Sequence, residues 1–147
     1  MVTINPYLNF KGNTEEAFNF YKSVFGGEFA MIQRFRDTPE APKLTSDDRE
    51  KIMHIALPIG KDNVLMGTDA IGPMGDQLIS GNNFHISVSA GSEDETKRIY
   101  DALAVGGQAT VPLAKMFWGS YFGMCVDKFG IQWMVSYDEK REQGKNE

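Results

Sequence analysis

The stretch YLNFKGNTEEAFNFYKSVFGG, residues 7–27, has a counterpart in HISVSAGSEDETKRIYDALAVGG, residues 85–107, and this pair decides the fold. Each begins as an alternating strand, with Leu8 and Phe10 apolar in one and Ile86 and Val88 in the other. Phe84 has the parity of Ile86 and Val88 and is expected with them in the core. The same alternation sends Tyr7, Asn9, His85 and Ser87 to the side away from the core. Each strand then turns through glycine into an acidic helix start. Asn13 with Glu16, and Ser92 with Glu95, have the spacing of a capping box, in which cap and glutamate satisfy orphan helix donors. Ala17, Phe18, Tyr21, Val24 and Phe25 in the first helix, and Ile99, Tyr100 and Leu103 in the second, recur at the spacing of one buried stripe. Both helices stop at a Gly-Gly pair, Gly26-Gly27 and Gly106-Gly107, where glycine accepts the left-handed conformation that ends a helix.

Three strand-like runs follow each helix, at residues 28–36, 51–59 and 63–69 and again at 108–118, 120–126 and 131–137. The order β-α-β-β-β therefore occurs twice, which makes an α+β fold of two βαβββ modules. One module alone would leave the open face of a small sheet bare. Two together are expected to form one curved mixed sheet around a concave cup, with the helices on the outer face, and the cup is the expected ligand site. A single domain then spans residues 1–138, as a module at 1–70, a glycine-rich connector at 71–81 and a module at 82–138. Residues 139–147 read as a charged, solvated tail. Residues 37–50, DTPEAPKLTSDDRE, carry Pro39, Pro42 and many charges and read as a long loop, of the length that serves as a lid or stays disordered.

Composition narrows the partners. A chain of 147 residues with a formal charge of −5 lacks the basic face that nucleic acid or an anionic membrane surface requires. No apolar run approaches the roughly 20 residues that cross a bilayer, and the opening MVTINPYLNF has no basic region followed by an apolar stretch. Cys125 is the only cysteine, so no intramolecular disulfide can form. The expectation is a cytoplasmic protein whose partner is a small molecule.

In this order, the segments at 7–29, MHIALPIGKDNVLMGTDA, FHISV and FWGSYFGMCVDKFGIQWMVSY resemble the vicinal-oxygen-chelate superfamily of glyoxalases, extradiol dioxygenases and bleomycin-resistance proteins. The nearest branch is the PhnB-like group, often described as demethylubiquinone methyltransferases. The resemblance implies a homodimer and, in the superfamily's enzymes, a divalent metal held from the first and last strand of each module. Such a metal needs at least three converging donors with open positions left for substrate. His85 falls on one such position. Tyr7 falls on its counterpart, and Met66 and Met134 fall where the remaining donors would be. One imidazole, one phenol and two thioethers do not suit a hard cation. The expectation is therefore no metal and no cofactor, with His85 the ligand if one exists.

Two other histidine readings stay open. His54 lies among Met53, Ile55 and Leu57 and so also faces the polar side; with His85 and Asp69 it could form an unfamiliar metal or catalytic set. Alternatively, both histidines are hydrogen-bonded groups beside a cavity, able to act as bases because imidazole titrates near neutrality. The methyltransferase description finds no support in the residues, since no strand runs into a glycine-rich turn and helix that would grip a nucleoside cofactor. Cys125, in an apolar strand, reads as a packed thiol, and Asp127 reads as a turn former beside Gly130. Lys115 and Lys128 are isolated lysines that solvate a surface or meet an anion. Trp133 belongs to the core, whereas Trp118 suits a cavity rim. A cup lined by Tyr7, Asn9, Met66, His85, Ser87, Trp118, Gln132 and Met134 suits a largely apolar small molecule. The favoured expectation is a metal-free small-molecule-binding protein, sequestration being one use of such a cup. The rival is a metal-dependent lyase, isomerase or dioxygenase acting on a vicinal-oxygen substrate.

Overall fold

The apolar stripes of the two helices coincide once their sequences are laid side by side. Thr14, Ala17, Phe18 and Tyr21 in the first and Thr96, Ile99, Tyr100 and Leu103 in the second have the same spacing, and all eight are buried. A stripe of that width covers one face of a sheet and leaves the other free. The computed structural model describes residues 1–139, which divide into two units, Met1–Ile79 and Ser80 onward. Most of the expected tail, residues 140–147, lies outside the described residues.

The first unit runs β1 (Tyr7–Phe10), α1 (Thr14–Phe25), β2 (Met31–Arg34), α2 (Ser46–Glu50), β3 (Ile52–Ile59), β4 (Asn63–Asp69) and α3 (Pro73–Gln77). The second runs β5 (Ile86–Ser89), α4 (Glu93–Ala104), β6 (Gln108–Lys115), β7 (Ser120–Val126) and β8 (Gln132–Asp138). Both are βαβββ modules, as the repeat predicts. Each closes its hydrogen bonding in a sheet of its own, in the orders β1-β4-β3-β2 and β5-β8-β7-β6. In each, the first strand pairs in parallel with the last, and the other pairings are antiparallel.

Glycines set how closely the helices approach. A Cβ on Gly67 of β4 would lie 2.6 Å from the Phe18 ring, and one on Gly123 of β7 would lie 2.8 Å from the Tyr100 ring. Phe18 and Tyr100 occupy equivalent positions of the two stripes, so each sheet admits its helix through a gap where a side chain is missing. Tyr100 also donates its hydroxyl to the carbonyls of Val111, at 3.0 Å, and Met124, at 3.3 Å.

The helix starts differ from one another. Ser92 accepts from Glu95 N at 3.1 Å, and the Glu95 carboxylate reaches back to Gly91 N at 2.9 Å, so α4 caps itself nearly as its spacing predicts. Asn13 makes no side-chain cap bond. Its place is taken by Asp69, 56 residues away at the end of β4, whose Oδ1 accepts from Gly12 N and Thr14 N at 3.0 Å and from Thr14 Oγ1 at 2.7 Å. Asp69 Oδ2 accepts from Ile52 N at 2.8 Å. The expected local capping box is thus replaced by a carboxylate from the neighbouring strand, which takes the N–H of the first helical residue, the hydroxyl of Thr14 and the N–H of Gly12 just before it.

Three further expectations change. Residues 37–50 are not an irregular loop but two 3-10 turns and α2, capped by Thr45 on Asp48 N at 3.1 Å. They are tied down where Arg49 Nε donates to Ala41 O at 2.8 Å and Arg36 binds Glu50 at 2.9 Å. β6 ends at Lys115, three residues short of the expected 118, because its pairing with β7 shifts register twice and the chain turns at Gly119 with φ +99°. Phe84 does not join the core: β5 begins only at Ile86, and Phe84 stays exposed.

Asp69→Ala is expected to cost at least about 3 kcal/mol, because several N–H donors lose their acceptor together. Asp69→Asn should fall between it and the wild type, since an amide turns an NH2 group toward one of the two donor sets. Urea midpoints of the three proteins check the order. In the same assay Gly67→Ala should cost about 1–3 kcal/mol by driving a methyl group into Phe18.

Candidate functional site

Residues paired across neighbouring strands point to the same side of a sheet, so the register sorts the candidates by face. In the first unit Tyr7 pairs with Met66, Asn9 with Thr68, Ala56 with Met66 and Gln33 with His54. These side chains share the face away from α1, and the opposite parity, Leu8, Phe10, Leu65 and Asp69, is buried against the helix. Tyr7, Asn9, Met66 and His54 therefore do come together on one open face. Asp69 does not: it is 3% exposed, faces the helix side and spends its oxygens on four hydrogen bonds. It is a structural carboxylate and no partner for His54, a correction that parity alone announces, since positions 66 and 69 differ by an odd number.

On this face Tyr7 and His54 touch. The phenol oxygen lies 3.3 Å from His54 Nδ1, and the rings stack at 5.7 Å between centroids and 29° between planes. Thr68 Oγ1, alongside, donates to Met53 O at 2.7 Å.

In the second unit Ser87 pairs with Met134, Met134 with Met124, Gln132 with Val126 and Ser136 with Phe122. These form the open face, while Trp133, Val135 and Cys125 are buried on the side of α4. Ser87, Gln132 and Met134 thus share a face as expected. His85 lies just before β5, half-buried, and Gln132 reaches back to bind the carbonyl of Phe84 beside it. Trp118, 51% exposed, sits on the β6–β7 turn and stacks edge-on with Phe117 at 5.0 Å and Phe122 at 5.9 Å. Its contact with Phe122 brings it to the edge of the open face. Sequence reasoning missed Met31 and Gln33 in the first unit and Phe122 and Met124 in the second. Their alternation was legible, but which face it addressed depended on the register.

A groove of about 240 Å³ opens on the helix side of the second unit, lined by Lys115, Tyr121, Tyr137 and the start of α4 at Ser92 and Glu93. None of the expected ligand residues lines it. Asp127 is the turn former that its sequence implies. Its Oδ1 accepts from Phe129 N at 2.8 Å and Ile131 N at 3.1 Å, and its Oδ2 takes the Trp133 indole N–H at 2.8 Å.

A divalent metal of the kind implied by the resemblance would draw on Tyr7 and Met66 in one unit and His85 and Met134 in the other. These donors do not fit a hard cation, and among the described residues no three His, Cys, Asp or Glu side chains gather as a ligand set. At each long helix start one backbone N–H is already engaged by a side chain, Thr14 N by Asp69 and Glu95 N by Ser92.

The comparisons agree with the fold. Residues 2–136 match the family described as 3-demethylubiquinone-9 3-methyltransferase. Protein YjdN of Escherichia coli (strain K12) is 28% identical over 141 residues, covering 90% of this chain and 93% of that one. The crystal structure of protein PA1353 from Pseudomonas aeruginosa is 35% identical with a TM-score of 0.79, covering 94% of this chain and 98% of that one. A glyoxalase/bleomycin resistance protein/dioxygenase family enzyme from Burkholderia phytofirmans PsJN shares the fold at 14% identity and a TM-score of 0.58, covering 89% and 95%. Among the described residues no helix is long and apolar enough to cross a membrane.

Burial, reinforced by the nearby Asp127 carboxylate, pushes the Cys125 thiol up to about 11. Little thiolate forms near neutrality, so Cys125 should resist iodoacetamide at pH 8 in the folded protein and react fully in guanidinium, as mass spectrometry will show. Because the folded thiol holds its proton above the ordinary value of 9.0, its contribution to stability is complete below that value and is lost as pH rises toward 11.

Proposed function

The chain belongs to the PhnB-like 3-demethylubiquinone-9 3-methyltransferase family, within the glyoxalase/bleomycin-resistance fold, and we propose that it is a metal-free protein that binds a small, largely apolar or aromatic molecule. The observation that carries the reading is the chemistry at the four positions where the fold's enzymes hold metal: Tyr7, Met66, His85 and Met134. Thioethers and a protonated phenol are weak donors for a divalent ion but good contact surface for an apolar ligand. Met31 and Met66 on one open face, and Met124 and Met134 on the other, extend that adaptable surface. Asn9, Ser87 and Gln132 supply scattered polar contacts, with Trp118 at the margin.

Methyl transfer is not part of this reading, because no strand of the sequence runs into a glycine-rich turn and helix of the kind that grips a nucleoside cofactor. The protein acts in the cytoplasm as a homodimer, a state supported by the apolar Ile32 that stands half exposed on edge strand β2. Size-exclusion chromatography with light scattering should give twice the mass of the chain.

Metal analysis of untagged protein purified without chelator should find divalent metal far below one equivalent, in the wild type and in His85→Ala alike. Stoichiometric metal that the mutation abolishes would overturn the binding-protein reading and make the chain an oxygen-chelating enzyme with an unusual ligand set.

A further inference from the structure

The helix side of the second unit, opposite Ser87 and Met134, holds a groove that α4 leaves uncovered. Tyr121 pairs with Lys115 on β6 and with Tyr137 on β8, so one row of side chains crosses three strands on the face that the helix packs against. The cover stops short of this row. The buried stripe of α4 starts at Thr96 and seats Tyr100 against Gly123, the next position of the same parity on β7. Tyr121 and Tyr137 are left half-buried as the floor of the groove of about 240 Å³.

Its charges are sorted by strand. Glu139 directly follows β8, and Ala90 N, donating to Ser136 O at 2.8 Å, ties the approach to α4, and with it Glu93, to the same strand. Lys115 stands at the other end, on edge strand β6. Two strand spacings, roughly 10 Å, separate its backbone from that of Tyr137. Among the described residues the side chains of Lys115, Glu93 and Glu139 enter no ion pair or hydrogen bond, and neither do the hydroxyls of Tyr121 and Tyr137. Lys97, whose charge also reaches Tyr121, is already bound to Asp101 at 2.5 Å.

The arrangement selects by charge and by length. A plain anion would meet two carboxylates, and a plain cation would meet Lys115. Phenol faces favour a cation through the ring quadrupole and accept an aliphatic chain lying flat on them. A molecule with both charges on one carbon cannot reach both ends of the groove. We propose that this groove binds a small zwitterion of the ω-amino acid class, its ammonium toward Glu93 and Glu139, its carboxylate toward Lys115 and its spacer on the rings of Tyr121 and Tyr137. The site is separate from the open faces and goes beyond the function proposed for them.

The test is an NMR titration of the full chain with labelled tyrosine rings, using 6-aminohexanoate as probe and hexylamine and hexanoate as comparators that each lack one charge. The probe should saturate in the roughly millimolar range, move the ring signals of Tyr121 and Tyr137, and bind roughly fivefold more tightly than either comparator. Lys115→Met should reduce the probe to the level of hexylamine, and Glu93→Gln with Glu139→Gln should reduce it to the level of hexanoate. All three positions are exposed, so the substitutions leave the core intact, and circular dichroism checks this. Tyr121 and Tyr137 signals unmoved by the probe, or a probe that binds no better than hexylamine to the wild type, would overturn the inference. Saturable binding that moves Tyr7 in place of Tyr121 and Tyr137 would overturn it too, by putting the zwitterion on an open face.

Discussion

The buried carboxylate of Asp69 is the interaction on which the first unit depends. It takes four hydrogen bonds, from Gly12, Thr14 twice and Ile52, and so fastens the start of α1 to the end of β4 and the beginning of β3. The N–H groups at a helix start lack intrahelical partners and carry the positive end of the helix dipole, so an anion there is stabilised from both causes. Lys51, held to Asp48 at 2.9 Å, adds positive charge nearby and is itself raised in pKa, first by that hydrogen bond and in part by Asp69. An aspartate that satisfies a helix, a strand and a turn is not available for chemistry. The most reactive-looking carboxylate in the sequence turns out to be the one most committed to structure.

The second unit solves the same problem locally. Ser92 and Glu95 cap α4 from within the helix and its approach, and the buried Asp127 is free to organise the β7–β8 hairpin and hold Trp133 in the core. Two modules with one topology thus place their buried carboxylates at different joints. What they share is the contact of an aromatic ring with a strand glycine, Phe18 with Gly67 and Tyr100 with Gly123. Close packing on the helix side concentrates stability there and frees the other face from any duty to the core. The open faces can then carry methionines, a phenol, an imidazole and amides, residues suited to contact a ligand rather than to hold a fold.

Much of the fold was legible in residues 7–27 and 85–107, because helix and strand periodicities follow from the covalent geometry of the chain. The capping of α4 was legible for the same reason, Ser92 and Glu95 being three residues apart. The capping of α1 was not: Asn13 has the right residue type and spacing, but Asp69 outcompetes it from 56 positions away. The order of residues 37–50 was hidden similarly, since it comes from Arg34, Arg36 and Arg49 finding acceptors within that segment. Of the candidate site, the faces of Tyr7, Asn9, Met66, His54, Ser87, Gln132 and Met134 followed from alternation. The misplacement of Phe84 arose because alternation was extended one residue pair beyond the true start of β5.

By itself the sequence determined the α+β class, the two βαβββ modules and the side of each strand on which a residue stands. All of these depend on residue type and on periods of two or 3.6, which the chain carries locally. Tertiary structure decided the rest: that Asp69 caps a distant helix, that Tyr7 reaches His54 over an intervening strand, and that Met124 and Phe122 join Met134 on one face. Those outcomes depend on strand order and register, set by which buried surfaces and hydrogen-bond donors meet when the chain closes on itself. No spacing within a single segment records that.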